Sequence, residues 1–172
     1  MFAIRHLEAW RQSVVEIFTP NTTDRPTYQE ISNAHSNAYV IIRELNICKT
    51  RFEQYSPPFT QGIQAVDEVL QALRDDHGGD LPEKILGFWS RQRLRQVRDH
   101  RTFATPEEKK AMVAIFERWN DRDRLKKQFW GLMLGDPDNG VLYHRYFTHE
   151  RSLQVYQCLR EWLEKRKAGH VY

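Results

Sequence analysis

The chain has 172 residues, 40% of them apolar, with five Trp and nine Phe, enough length and material for one domain with a real core, so disorder is not the default. Its net charge is only +3, but residues 1–80 hold seven Lys/Arg against eleven Asp/Glu, net −4, and residues 81–172 hold nineteen against twelve, net +7. No window approaches the roughly 20 apolar residues of a membrane span, and Arg5, His6, Glu8, Arg11 and Glu16 interrupt the N-terminal 18 residues, which excludes a secretory leader there.

Apolar residues recur at three and four positions and nowhere alternate, so the spacing predicts an all-α chain. Ala3, Leu7, Trp10, Val14 and Ile17 give a first helix, stopped by Pro20 and a polar loop over 21–25. Thr27 and Glu30 form a capping box after Pro26. The stripe Ile31, Ala34, Ala38, Ile41, Ile42, Leu45, Cys48 and Phe52 then carries a second helix, near 28–54, to the Ser56-Pro57-Pro58 stop. At 1.5 Å per residue it is about 40 Å long, a length typical of bundles. A third helix, near 60–73, uses Ile63, Val66, Leu70 and Leu73 and breaks at Asp75-Asp76-His77-Gly78-Gly79-Asp80. A fourth starts near Pro82 and runs into an arginine cluster. Thr105-Pro106-Glu107-Glu108 begins a fifth, with a capping hydroxyl, Pro in the first turn and acids at the positive end of the dipole. That helix carries Met112, Ile115, Phe116, Trp119, Phe129, Leu132 and Met133 as far as a loop over 135–140. A turn over 143–147 leads to a last helix capped at Thr148. The expectation is one helical domain over 1–172, a bundle of five to seven helices, acidic over 1–80 and basic over 81–172.

The arginine cluster is the most informative segment. Arg91, Arg93, Arg95, Arg98 and Arg101 fall within eleven residues, directly after Phe88-Trp89, with Asp99 as the only acid among them. On a helix Arg91, Arg95 and Arg98 lie within about 60° of one another, the spacing of a guanidinium strip that tracks phosphates, while Arg93 and Arg101 point elsewhere. Arg118, Arg122, Arg124, Lys126 and Lys127 form a second basic group on the next helix. Trp89, Phe103 and Trp130 are candidate stacking surfaces beside this charge. The alternative is a solvated face whose aromatics belong to the core.

Other constellations are weaker. Arg95 to His100 has the R-x4-H form and resembles, at those two residues, the helical HEPN ribonucleases, in which Arg and His act on the scissile phosphate. Gln96 and Asp99 depart from that family's pattern. The 75–80 segment resembles the DDxxxD magnesium motif of prenyl synthases, which must be helical, and Gly78-Gly79 would break the helix. In 136–140 Gly140 stands where a calcium loop needs a ligand. His144 and His149 are about 140° apart on a helix and share no metal. His35, beside Ser32, Asn33, Ser36 and Asn37, sits in a polar patch that reads as a solvated face or an interhelical network. Cys48 and Cys158 have no partner at metal spacing and read as reduced buried thiols of an intracellular protein.

No catalytic, metal or cofactor signature is present, and no cofactor is expected. The leading expectation is a cytoplasmic, non-catalytic accessory protein that binds nucleic acid, DNA or RNA, through Arg91, Arg95, Arg98 and Arg101, with Lys126 and Lys127 next. A protein–protein adaptor or inhibitor is the alternative, and a HEPN-like ribonuclease at Arg95 and His100 is a third.

Overall fold

The computed structural model describes residues 25–99, 105–132, 148–170 and 172. Among them are six helices and no strand: α1 (Tyr28–Gln54), α2 (Thr60–Asp76), α3 (Pro82–Asp99), α4 (Pro106–Trp119), α5 (Arg122–Gln128) and α6 (His149–Lys167). The expected first helix, Arg101, Phe103, the 135–140 loop and the 143–147 turn lie outside the described residues.

α1 is the axis of the bundle. Its start is fixed by the reciprocal capping box: Thr27 Oγ1 accepts from Glu30 N–H at 3.2 Å and the Glu30 carboxylate accepts from Thr27 N–H at 3.4 Å. Arg25 holds the same carboxylate at 2.6 Å. All eight residues of the expected stripe, from Ile31 to Phe52, are buried. α2 returns antiparallel, because the Lys49–Asp67 ion pair (2.8 Å) and the seating of Gly62 against Phe52 set the register. Gly62 is required there: a Cβ would lie 2.7 Å from the rings of Phe52 and Phe59. α2 ends where Gly78 and Gly79 take positive φ (74° and 105°), the left-handed region open to glycine.

α3 is also antiparallel to α1, with Gly87 against His35 and Glu83 in the groove beside Tyr39, Ile42 and Arg43. α4 packs on α1 and α3, and Asn37 Nδ2 donates to the Trp119 carbonyl at 3.1 Å. The polar patch around His35 is therefore partly an interhelical contact. α6 runs beside and parallel to α2: Tyr55 meets Ser152, Arg160 meets Glu68 at 3.0 Å, and Arg166 grips Asp76.

The expected fifth helix is in fact two. It ends at Trp119, and Asp121 accepts from Arg124 N–H at 3.0 Å to cap α5. An Asp at the N-cap competes with continued helix by offering its own acceptor to the backbone. The break lets Trp119 point into the core from one helix while Leu125 and Phe129 enter it from another. Cys48 and Cys158 are both buried, and neither forms a disulfide. No helix among the described residues is long and apolar enough to cross a membrane.

Candidate functional site

The arginine run is divided by the period of α3. Pro82, Leu86, Gly87, Ser90 and Arg93 form the buried face. Two residues along a helix is about 200° around it, so the positions displaced by two from Pro82, Leu86 and Arg93 are outward. The exposed residues of α3 are Lys84, Phe88, Arg91, Arg95, Arg98 and Asp99. Apart from Asp99 they are four cations and one aromatic, spaced four, three, four and three residues apart on one face about 21 Å long. Asp99 pairs with Arg98 at 3.1 Å and partly offsets the end of the stripe.

The aromatic beside the arginines is Phe88, 47% exposed, whereas Trp89 packs against the core and holds Phe88 edge-on at 5.4 Å. Trp89 is half-buried and offers less open ring surface than Phe88. Arg93, 4% exposed, is tied to the Gln96 amide oxygen and belongs to the fold. At the inner edge of the stripe His35 is held below the usual histidine range by burial, against the opposing charge of Glu83 and with that of Arg91. The carboxylate and guanidinium of α3 thus both reach α1.

The second basic group is dispersed. Lys126 is half-buried and Lys127 exposed on α5, and Lys127 lines a cavity of about 280 Å³ with Gln128, Trp130, Cys158, Glu161, Trp162, Lys165, Arg166, His170 and Tyr172. Arg118 lies over the Tyr172 ring at 5.4 Å. Lys127 and Arg118 therefore serve the α6 side of the molecule rather than extending the α3 stripe. Trp130, 47% exposed, stands with Lys127. The cavity depends on docking of 128–130 against 158–170 and Tyr172, which no local motif announces.

Two groups that resemble catalytic machinery are committed to structure. His77 Nδ1–H donates to the Leu73 carbonyl at 2.6 Å, and Nε2 accepts from Trp119 Nε1–H at 2.9 Å. Burial pushes the Cys158 thiol up, only partly opposed by the Gly131 backbone, so it is protonated at neutral pH. Among the described residues no three His, Cys, Asp or Glu side chains converge on a metal position. Of the carboxylates in the DDxxxD-like segment, Asp76 is taken by Arg166, and Asp75 and Asp80 are exposed beside a turn. Burial pushes the Asp76 carboxyl up, but the bonds and charge of Arg166 win and hold it below the usual range.

Fold and surface together define an all-α bundle with a cationic, aromatic-bearing helix face and a basic cavity beside α6. No protein-family model, curated protein sequence or solved structure matches this chain.

Proposed function

We propose that the protein is a non-catalytic nucleic-acid-binding accessory protein of the cytoplasm, and that the exposed face of α3 is its contact surface. The observation that supports this reading is the composition of that face: Lys84, Phe88, Arg91, Arg95 and Arg98, with Asp99 alone of opposite sign. From Arg91 to Arg95 and from Arg95 to Arg98 the cations rise about 4.5–6 Å along the axis, a step comparable to the separation of phosphates along an extended strand. Guanidinium groups bind phosphate oxygens in pairs. The Phe88 ring adds a platform that any base can stack on. Nothing in the stripe reads base edges, so binding is expected to be tolerant of sequence.

The test is binding to labelled single- and double-stranded DNA and RNA across a salt series, with the Arg91/Arg95/Arg98→Glu variant alongside. Three lost contacts on a single strand should flatten the plot of log affinity against log salt by about 2. All three side chains are exposed, so the variant should keep its helical circular dichroism. Absence of binding by the folded native protein at low salt would overturn the reading. A protein captured by this face with little salt dependence would favour the adaptor alternative instead.

A further inference from the structure

We infer that the cavity between α5 and α6 is a nucleotide site, taking one planar base and one phosphate. None of its lining residues belongs to α3, so it stands independently of the nucleic-acid surface proposed above. Its volume, about 280 Å³, lies just below the roughly 300–1,000 Å³ of most small-molecule sites, which suits a small ligand that is partly open to solvent.

Its walls divide into two chemistries. Trp130 and Trp162 provide indole surface, the first half-exposed and the second 4% exposed. Lys127 and Lys165 bring two ammonium groups that have no carboxylate partner among the described residues. Arg166 is already committed to Asp76 through three hydrogen bonds of 2.8 to 3.2 Å. His170 is exposed at the same cavity, and Glu161 is the single acid lining it among the described residues.

The second observation is polar. Trp162 Nε1, a donor, and Gln128 Oε1, an acceptor, both belong to residues of this wall, are closed off from water, and have no hydrogen-bond partner among the described residues. Buried polar atoms are nearly always satisfied, and these two have already lost their hydration just behind the cavity wall, so a ligand edge that draws the Trp162 and Gln128 side chains round to it and supplies one acceptor and one donor gains from both. An inorganic anion would engage the lysines and leave the indoles idle. A neutral ring would leave two ammonium groups without an anion. A base edge carrying both donor and acceptor, attached to a phosphate, uses all of these features.

Titration of the native protein with AMP, followed by calorimetry and tryptophan fluorescence, tests this. Saturable one-to-one binding is expected, with adenosine and inorganic phosphate each at least about tenfold weaker. Lys127→Glu/Lys165→Glu should weaken AMP at least about tenfold, and Trp130→Ala should weaken AMP while leaving phosphate unchanged. These three side chains are exposed, so circular dichroism should match the native protein. Arg91/Arg95/Arg98→Glu should leave AMP affinity unchanged, which separates this site from the α3 surface. No saturation at millimolar AMP, or equal affinity in the lysine variant, would overturn the site, and equal binding of phosphate alone would overturn its base-binding half. Competition by a 5′-phosphorylated oligonucleotide, but not its 5′-hydroxyl form, would identify the occupant as a strand end. AMP binding without such competition would identify a free nucleotide.

Discussion

His77 shows how a residue from a polar-looking turn becomes part of the core. The indole of Trp119 can only donate, so His77 Nε2, 2.9 Å away, must be the bare nitrogen, and Nδ1–H is then free to donate to Leu73. Burial depresses the imidazole below its ordinary 6.5, the Leu73 carbonyl and Asp76 oppose this, and Arg118 adds to it. In the unfolded chain His77 takes up a proton at higher pH than it does in the fold. Its contribution to stability is therefore complete above 6.5 and is lost as pH falls through that value towards the lower native one, at up to about 1.4 kcal/mol per pH unit. His35, depressed by burial on another face, adds a loss of the same sign. Urea unfolding on both sides of this window should show a steeper acid loss for the native protein than for His77→Phe. Trp119→Phe should cost about 1–3 kcal/mol at neutral pH by stranding Nε2, and the cost should shrink in acid, where a protonated His77 no longer needs a donor. A pH-independent cost would mean that the indole does not hold the tautomer.

At the scale of an element, α3 sorts five chemically identical side chains by position. Arg93 is buried and bonded to Gln96, while Arg91, Arg95 and Arg98 face out and Arg101 lies outside the described residues. Arg93→Ala should cost about 1.5–3 kcal/mol, the range for a hydrogen bond to a charged group. Arg95→Ala and Arg98→Ala should stay within about 0.5 kcal/mol, since exposed pairs such as Arg98–Asp99 contribute little. Thermal melts of the three variants check this, and equal losses would mean that the two faces of α3 are not distinct. The division was legible in the sequence, because helix periodicity alone separates 93 from 91, 95 and 98. So were the caps at Thr27, Thr105 and Thr148, where side chain and backbone interact within four residues. The break at Asp121 carried a local signal too, but the apolar spacing across it still resembled one helix. What the sequence could not show was pairing between distant segments. Which of Phe88 and Trp89 faces out depends on what α1 and α4 place beneath α3, and the cavity at Lys127 exists only once α5 meets α6.

For the molecule as a whole, the helix ends meet at one aromatic cluster. Tyr172 lies 5.7 Å from Trp119 at the end of α4, 6.4 Å from His77 at the end of α2 and 5.0 Å from Trp162 in α6, and Trp162 lies 5.7 Å from Phe129 after α5. α1 reaches this cluster through α2, on which it packs, and through α4, whose Trp119 carbonyl accepts from Asn37, and α3 packs on α1 and α4. Tyr172 is 5% exposed although His170 is exposed, so its ring is a plug between the ends of α2, α4 and α6. Its hydroxyl approaches Asp76 and Arg118 without a hydrogen bond of regular geometry, and burial together with the Asp76 charge drives its pKa well above that of a free phenol. Ring and hydroxyl should therefore separate on substitution. Tyr172→Ala removes a buried ring and should cost about 3–5 kcal/mol, whereas Tyr172→Phe keeps the ring contacts and removes only a poorly satisfied hydroxyl, so its cost should be near zero. For a chain of this size the alanine variant should melt roughly 6–20 °C lower, at about 2–4 °C per kcal/mol. Near-ultraviolet circular dichroism should change with it, because Trp119 and Trp162 lose the same neighbour. If Tyr172→Phe is as destabilising as Tyr172→Ala, the hydroxyl rather than the ring is what ties α2, α4 and α6 together.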